Sequence, residues 1–137
     1  MRFFLLLAML LILSGCSGNV HQSGKVVFDD GSPVPCGDVC FLSETYQASG
    51  TIQPDGTFVI GSTQTKNGLK PGTYKVVIAG AQIVVGEDPR EKGAPLIEYL
   101  VDDKYTDPEQ TPFTVEVKGR NSNLEFKVEK RQKSSPN

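Results

Sequence analysis

The sequence predicts an all-β fold, a single antiparallel β-sandwich of about seven or eight short strands. Fourteen glycines and nine prolines in 137 residues supply many turns. Between these turns, apolar and polar residues alternate with the period of two that is typical of strands. The chain is long enough for one domain whose core needs neither a metal nor a disulfide.

Residues 1–15 are predicted to be a signal peptide rather than part of this domain. Arg2 gives a positive start, and residues 3–13 form an unbroken apolar run. As a helix, such a run reaches only about half of the ~30 Å hydrocarbon core of a membrane. It is therefore too short for a permanent membrane span.

The residues Leu13-Ser14-Gly15-Cys16 that follow resemble the bacterial lipobox. The resemblance implies cleavage before Cys16, thioether lipidation of its sulfur and acylation of the new amino terminus, which together anchor a protein stably. We therefore expect an extracytoplasmic protein of the cell envelope, held on a membrane by a lipid anchor, with residues 16–23 as a lipidated tether. The alternative is an ordinary secretory signal followed by a cysteine that is not lipidated.

The first half of the domain, which is predicted to span residues 24–129, contains four candidate strands. They are predicted at residues 24–28, 39–42, 48–53 and 57–60. Asp55-Gly56 favours a tight turn, so the third and fourth strands are predicted to form a hairpin.

The second half begins with the clearest strand, residues 73–79, in which Tyr74, Val76 and Ile78 share one face. Residues 82–85 are a possible continuation of this strand, residues 86–93 are predicted to be a mobile loop, and residues 96–101 are either a short strand or a helical turn. Residues 102–112 are predicted to form an acidic loop. The strands at 113–117 and 123–128 are predicted to form a hairpin, and residues 130–137 a disordered tail.

Four stretches of turn and core residues together form a known pattern. They are Gly24-Lys25-Val26, Asp30-Gly31-Ser32-Pro33-Val34-Pro35 with Val39 and Phe41, Asp55-Gly56-Thr57-Phe58, and Leu69-Lys70-Pro71-Gly72-Thr73-Tyr74-Lys75-Val76. This pattern resembles carboxypeptidase regulatory-like domains, and it implies a transthyretin-like (prealbumin-like) sandwich with Phe58 and Tyr74 in its core. The layout also resembles short lipoproteins of planctomycete-type bacteria, which have a Lys-Tyr-Thr-Asp-Pro segment, here residues 104–108. No catalytic residue is implied by the resemblance.

Cys36 and Cys40 are the two thiols that remain if lipid occupies Cys16. In a fully extended chain their Cα atoms would lie ~13 Å apart, whereas a disulfide requires less than ~7 Å. A turn at Gly37-Asp38 would allow a disulfide, so a bonded pair and two independent thiols are both open. Two thiols and the distant His21 cannot complete a zinc site.

The acidic loop suggests a weak calcium site. Asp102, Asp103, Asp107 and Glu109 supply oxygen ligands of the kind that Ca²⁺ prefers. Their spacing fits no EF-hand, so a solvated loop is the favoured interpretation and no cofactor is expected.

Enzymatic activity is not expected from this sequence. The one histidine, His21, lies in the tether, which excludes a catalytic triad within the domain, and no phosphate-binding loop is present. A net charge of −2 gives no affinity for nucleic acid.

The expected function is that of a non-catalytic module that binds an envelope protein, with the loops at 86–93 and 102–112 as contact surfaces. The alternatives are a purely structural envelope protein and a small glycan- or calcium-binding protein.

Overall fold

The computed structural model describes residues 19–61 and 68–132, so the predicted signal peptide and Cys16 lie outside the described residues. Within them the chain is all-β, as predicted, with one short 3₁₀ turn at Asp103–Tyr105. In this part of the chain no helix has the length and apolar character needed to cross a bilayer. The strands are β1 (Gln22–Phe28), β2 (Asp38–Leu42), β3 (Gln47–Thr51), β4 (Thr57–Ile60), β5 (Gly72–Ala79), β6 (Gln82–Glu87), β7 (Pro95–Tyr99), β8 (Thr114–Val117) and β9 (Asn121–Val128).

Two sheets form the sandwich. One has the strand order β4-β1-β9 and the other has the order β3-β2-β5-β8, while β6 and β7 pair only with each other. Tyr74, Val76 and Ile78 of β5 are buried, which confirms the predicted inward face. The inner faces of both sheets contribute to one core, as expected for a β-sandwich.

Phe126 of β9 lies where the two sheets meet. Its ring centroid is 6.2 Å from that of Phe41, 5.9 Å from that of Phe58 and 5.0 Å from that of Phe113. Since Phe41 belongs to the other sheet, this aromatic cluster joins the two layers.

Both predicted hairpins are wrong, although their turns exist. Gly56 adopts φ +85°, and the Gln53 amide donates to the Thr57 carbonyl at 2.8 Å, yet β3 and β4 belong to different sheets. Likewise β8 pairs with β5, and β9 pairs with β1. At each of these turns the chain crosses between the layers instead of folding back on the same sheet.

The sandwich is not wholly antiparallel, because β1 and β9 are parallel. The register between them shifts next to Gly24, and a Cβ at this position would lie 2.0 Å from the carbonyl oxygen of Leu124. Gly24 therefore permits a backbone approach that no other residue type would allow.

The ordered domain extends beyond the predicted limits of 24 and 129 at both ends. Val20 forms a bridge with Leu69, and the buried Gln22 donates through Nε2 to the Gly119 carbonyl at 2.7 Å. Lys130, predicted to begin a disordered tail, forms a bridge with Val101. Residues 133–137 of that tail lie outside the described residues.

The chain enters the sandwich at one end, and β6 and β7 leave it at the other. The chain enters beside Leu69, three residues before β5 begins, and we call this the amino-terminal end. β5 then runs eight residues, about 25 Å, to Ala79. There the chain leaves the sheet to form β6 and β7, so this opposite side is the ribbon end.

Candidate functional site

The candidate site is the two-stranded antiparallel ribbon formed by β6 and β7. Gln82 lies opposite Tyr99 at its base, and Val84 lies opposite Ile97 in its middle. All six residues of β6 are exposed. The segment at 96–101, which the sequence left ambiguous, is thus largely a strand, and the possible strand at 82–85 is its partner.

The ribbon exposes apolar side chains that a sandwich would normally bury. The large exposed hydrophobic residues found within the described chain all belong to it: Ile83 (40% exposed), Val84 (67%), Val85 (48%), Ile97 (37%) and Tyr99 (52%). Exposed apolar side chains concentrated on one element are typical of an interaction surface.

A groove of about 800 Å³, the ribbon groove, runs beside these residues. Val85, Ile97 and Tyr99 form part of its wall, together with Arg131. The Arg131 guanidinium lies 5.2 Å from the centre of the Tyr99 ring and pairs with Asp103. This cation–π contact holds the tyrosine at the edge of the groove.

The tip of the ribbon is tied together by hydrogen bonds. Residues 86–93, predicted as a mobile loop, form the end of β6 and a turn in which the Asp88 amide donates to the Ala94 carbonyl at 2.8 Å. Arg90 donates to both carboxylate oxygens of Asp88, at 3.0 and 2.9 Å. The Arg90 side chain, followed by its backbone amide, lowers the pKa of Asp88 to about 2.

The base of the ribbon is attached to the sandwich. The Leu100 amide donates to the Ala81 carbonyl at 2.9 Å, and the Arg131 amide donates to the Leu100 carbonyl at 3.0 Å. Ala81 and Val101, which flank the ribbon, are both buried in the core. The exposed strands therefore extend from a firmly packed base.

The acidic loop does not assemble the calcium ligands that its composition suggested. Asp102 accepts the Lys104 amide at 3.1 Å, Asp103 pairs with Arg131, and Asp107 accepts the Glu109 amide at 2.8 Å. The carboxylates of Asp102, Asp103 and Asp107 thus each serve a local contact. Among the described residues, no group of three or more histidine, cysteine or acidic side chains is placed to hold a metal ion.

This same loop is partly built into the core. Tyr105 is buried, and its ring stacks on Phe113 with centroids 5.4 Å apart. Its hydroxyl accepts the Glu129 amide at 3.2 Å. Of the two loops proposed as contact surfaces, only the one at 86–93 lies on the ribbon.

The disulfide considered for Cys36 and Cys40 is not formed, and both are free thiols. Gly37 turns the chain at φ +111°, which leaves the Cys36 sulfur 3.4 Å from the Gln82 carbonyl oxygen. Cys40 lies within β2, opposite Ser49 and Val77. Burial, and then the charge of Asp38, raises the pKa of the Cys40 thiol, so it is a weak nucleophile at neutral pH.

A second groove, of about 840 Å³, lies toward the amino-terminal end. Its lining includes Tyr46, Lys70 and Tyr74. The Lys70 amine lies 5.4 Å from the centre of the Tyr46 ring, and the Tyr74 hydroxyl donates to the Lys70 carbonyl at 2.7 Å. The polar groups of this second groove thus already interact with one another within the chain. The apolar side chains of the ribbon are instead exposed to solvent, which makes the ribbon the stronger candidate site.

Sequence reasoning missed the ribbon because an apolar run is normally interpreted as a core strand. Ile83, Val84 and Val85 are consecutive, and three apolar residues in a row cannot all face one core from a half-buried strand. The runs Val26-Val27-Phe28 and Val76-Val77-Ile78 also lack alternation and are buried, so this pattern does not distinguish an exposed strand from a core strand.

Comparisons with known proteins identify no relative. No family model, no curated protein and no solved structure matches the chain. The all-β sandwich stands on the structure itself, and its assignment to the transthyretin-like type remains a prediction from the sequence pattern.

Proposed function

We propose that this protein is a lipoprotein of the cell envelope whose β-sandwich is a non-catalytic interaction module. The observation that supports this most strongly is the ribbon. It offers five large, exposed hydrophobic side chains on an element that is attached firmly at its base.

The position of the ribbon suits an anchored protein. Val20, the first bridged residue of the described chain, follows Cys16 by four positions, so lipid on Cys16 would keep the amino-terminal end close to the membrane. The ribbon leaves the other end of β5, about 25 Å away. It would therefore face away from the anchoring membrane, where a partner has access.

The non-catalytic part of the proposal is supported by the chemistry of the described side chains. The only buried polar side chain among them is Gln22, whose amide is hydrogen-bonded to a backbone carbonyl. His21 is exposed beside β1, away from both cysteines in sequence and outside both grooves. Covalent catalysis by a side chain requires a nucleophile with an adjacent base that activates it.

The anchor can be tested by metabolic labelling with a fatty acid in the native host. Wild-type chain should be labelled and released from its leader, whereas Cys16→Ala should lose the label and keep its leader. Cys36→Ser is the matched control and should remain labelled. Labelling of the Cys16→Ala variant would contradict the proposal.

The interaction surface can be tested by placing a photo-crosslinking amino acid at position 99, on the ribbon, or at position 120, at the amino-terminal end. Both side chains are exposed. A discrete crosslinked protein band is expected from position 99 and not from position 120. Only diffuse products from both positions would instead favour a purely structural envelope protein.

A further inference from the structure

We propose that residues 129–132, which follow β9 and which we call the strap, form a salt-sensitive latch on one wall of the ribbon groove. At low ionic strength ion pairs hold the strap in place, and at high ionic strength the strap detaches and opens that wall. This inference adds a mode of regulation to the ribbon, and it rests on the proposed function only in taking the groove as the binding surface.

The backbone of the strap is held by a short antiparallel pairing with the segment that follows β7. The Asp102 amide donates to the Glu129 carbonyl at 3.2 Å, and the Arg131 amide donates to the Leu100 carbonyl at 3.0 Å. A pairing of this length supplies few backbone hydrogen bonds, so the side chains of the strap must contribute much of what keeps it docked.

Three consecutive side chains of the strap each form an ion pair with a distant part of the chain. The pairs are Glu129 with Lys104 at 2.8 Å, Lys130 with Asp30 at 2.7 Å, and Arg131 with Asp103. The members of these pairs are 25, 100 and 28 positions apart in the sequence. Charge therefore ties the strap both to the turn after β1 and to the 3₁₀ turn.

The exposure of these pairs makes the docking sensitive to salt. Each of the six side chains is at least 36% exposed. Exposed ion pairs are individually weak, and salt screens them, because the Debye length falls from ~10 Å at 0.1 M to ~3 Å at 1 M. Once one pair orders the strap, the others form at a lower cost in conformational entropy. The docking should therefore depend on ionic strength more steeply than a single pair would.

The docked strap forms part of the wall of the ribbon groove. Arg131 and Gln132 line this groove, as do Ile97 and Tyr99. The Arg131 guanidinium lies 5.2 Å from the centre of the Tyr99 ring. When the strap detaches, Tyr99 loses this cation–π contact and the groove loses one wall, so more of its apolar surface becomes accessible to a partner.

The first experiment measures amide hydrogen exchange by NMR in the isotope-labelled full-length chain, held in an uncharged detergent. Raising the NaCl concentration from about 20 mM to about 1 M should speed exchange of the Asp102 and Arg131 amides about tenfold, because the strap opens more often. The Leu100 amide is the internal control, since it donates to the Ala81 carbonyl and not to the strap. Its exchange should change less than about twofold. Equal changes at all three amides would overturn the inference.

The second experiment removes the charges of the strap. A variant that combines Glu129→Gln, Lys130→Gln and Arg131→Gln should exchange the amides at positions 102 and 131 about tenfold faster than wild type at low salt, and added salt should have no further effect. Protection of the Leu100 amide checks that the sandwich is folded.

Lys118→Gln is the matched control for these substitutions. It removes an exposed ion pair with Glu116 at the amino-terminal end, so exchange at positions 102 and 131 and its response to salt should match wild type. A triple variant that keeps the protection and the salt response of wild type would show that the ion pairs do not hold the strap.

The effect on the groove can be measured by fluorine NMR of the chain labelled with fluorotyrosine, with the Tyr99 signal assigned through Tyr99→Phe. Added salt should move the Tyr99 signal toward its position in Arg131→Gln, because both changes remove the guanidinium from the ring. If the signal stays fixed while the strap amides exchange faster, the strap opens without affecting the groove and the latch is wrong.

These measurements separate the latch from the proposed function, because they need no partner. If the strap amides do not respond to salt while position 99 crosslinks to a discrete protein, the latch is wrong and the interaction module stands. If the strap responds while position 99 gives only diffuse products, the latch stands and the interaction module is wrong.

Discussion

At the scale of single residues, Gly24 shows how closely β1 and β9 approach each other. A Cβ at this position would lie 2.0 Å from the Leu124 carbonyl oxygen and 2.7 Å from the Leu124 Cβ. Both atoms belong to the paired strand, so relief requires the strands to separate. Gly24→Ala should therefore lower the free energy of unfolding by about 3 kcal/mol or more, as measured by urea denaturation.

Gly119→Ala is the matched control for this substitution. A Cβ at Gly119 would meet no atom within 4 Å, so its effect should stay within about 0.5 kcal/mol. Equal stability of the two variants would show that β1 and β9 do not pair as closely as described.

Asp30 is expected to make part of the stability depend on pH. Hydrogen bonds from the Lys130 amine, at 2.7 Å, and from Ser32 hold the pKa of this carboxyl well below its ordinary value of 3.8. The pKa of the Asp30 carboxyl is lower in the folded state than in the unfolded state. The stabilisation is therefore complete when the pH is above the pKa of the unfolded state, and it is lost as the pH falls from there toward the pKa of the folded state. The carboxyl is exposed, so salt should weaken the effect.

We expect Asp30→Asn to reduce the fall in Tm between about pH 6 and about pH 3, compared with wild type. Lys130→Met should act in the same direction, because it removes the cation that binds the carboxylate. Thermal melts followed by circular dichroism measure both changes. An undiminished fall in Tm in the two variants would show that this pair does not contribute.

At the scale of elements, the ribbon should be separable from the sandwich. The Leu100 amide donates to the Ala81 carbonyl at 2.9 Å, so the two ends of the ribbon already meet. We expect that replacing residues 82–99 with a short glycine-containing turn leaves the sandwich folded. The free energy of unfolding should fall by less than about 2 kcal/mol, since the removed side chains are mostly exposed.

The measurements for this excision are urea denaturation and the dispersion of the amide NMR spectrum. A variant that replaces the same residues and also carries Val101→Asp is the contrasting case and should unfold, since Val101 is buried beneath the ribbon. An unfolded excision variant without that substitution would show that the ribbon is an integral part of the core.

The strands themselves were largely predictable from the sequence. Alternation placed Tyr74, Val76 and Ile78 on the buried face of β5. Period-two patterning reports which side of a strand is buried, and that property is local.

The pairing of strands was not predictable in the same way. Asp55-Gly56 produces a real turn, but a turn does not determine whether the next strand joins the same sheet or crosses to the other one. The parallel pair of β1 and β9 joins the two ends of the domain, and no local pattern encodes such a contact. The exposure of Val84 and Val85 was not predictable for a related reason, since hydrophobicity does not distinguish the core from an exposed contact surface.

At the scale of the whole molecule, Phe126 should control the stability of both layers together. Its ring contacts Phe58 in its own sheet and Phe41 in the facing sheet. Phe126→Ala should cost about 3–5 kcal/mol, because it leaves a cavity between the layers. Urea denaturation should still show one cooperative transition by fluorescence and by circular dichroism.

Phe126→Leu, which keeps most of the apolar volume, should cost clearly less than the alanine variant. Two separate transitions in Phe126→Ala would instead mean that the sheets unfold independently, and the shared core would then not be the feature that unites them.

The parallel pairing of β1 with β9 also has a consequence for the order in which the molecule is made. Among the strands of the described residues, β1 is synthesised first and β9 last, and β1 lies between β4 and β9. Until residues 121–128 have left the ribosome, one edge of β1 has no partner strand. A chain that lacks these residues would therefore present an open strand edge capable of joining other chains.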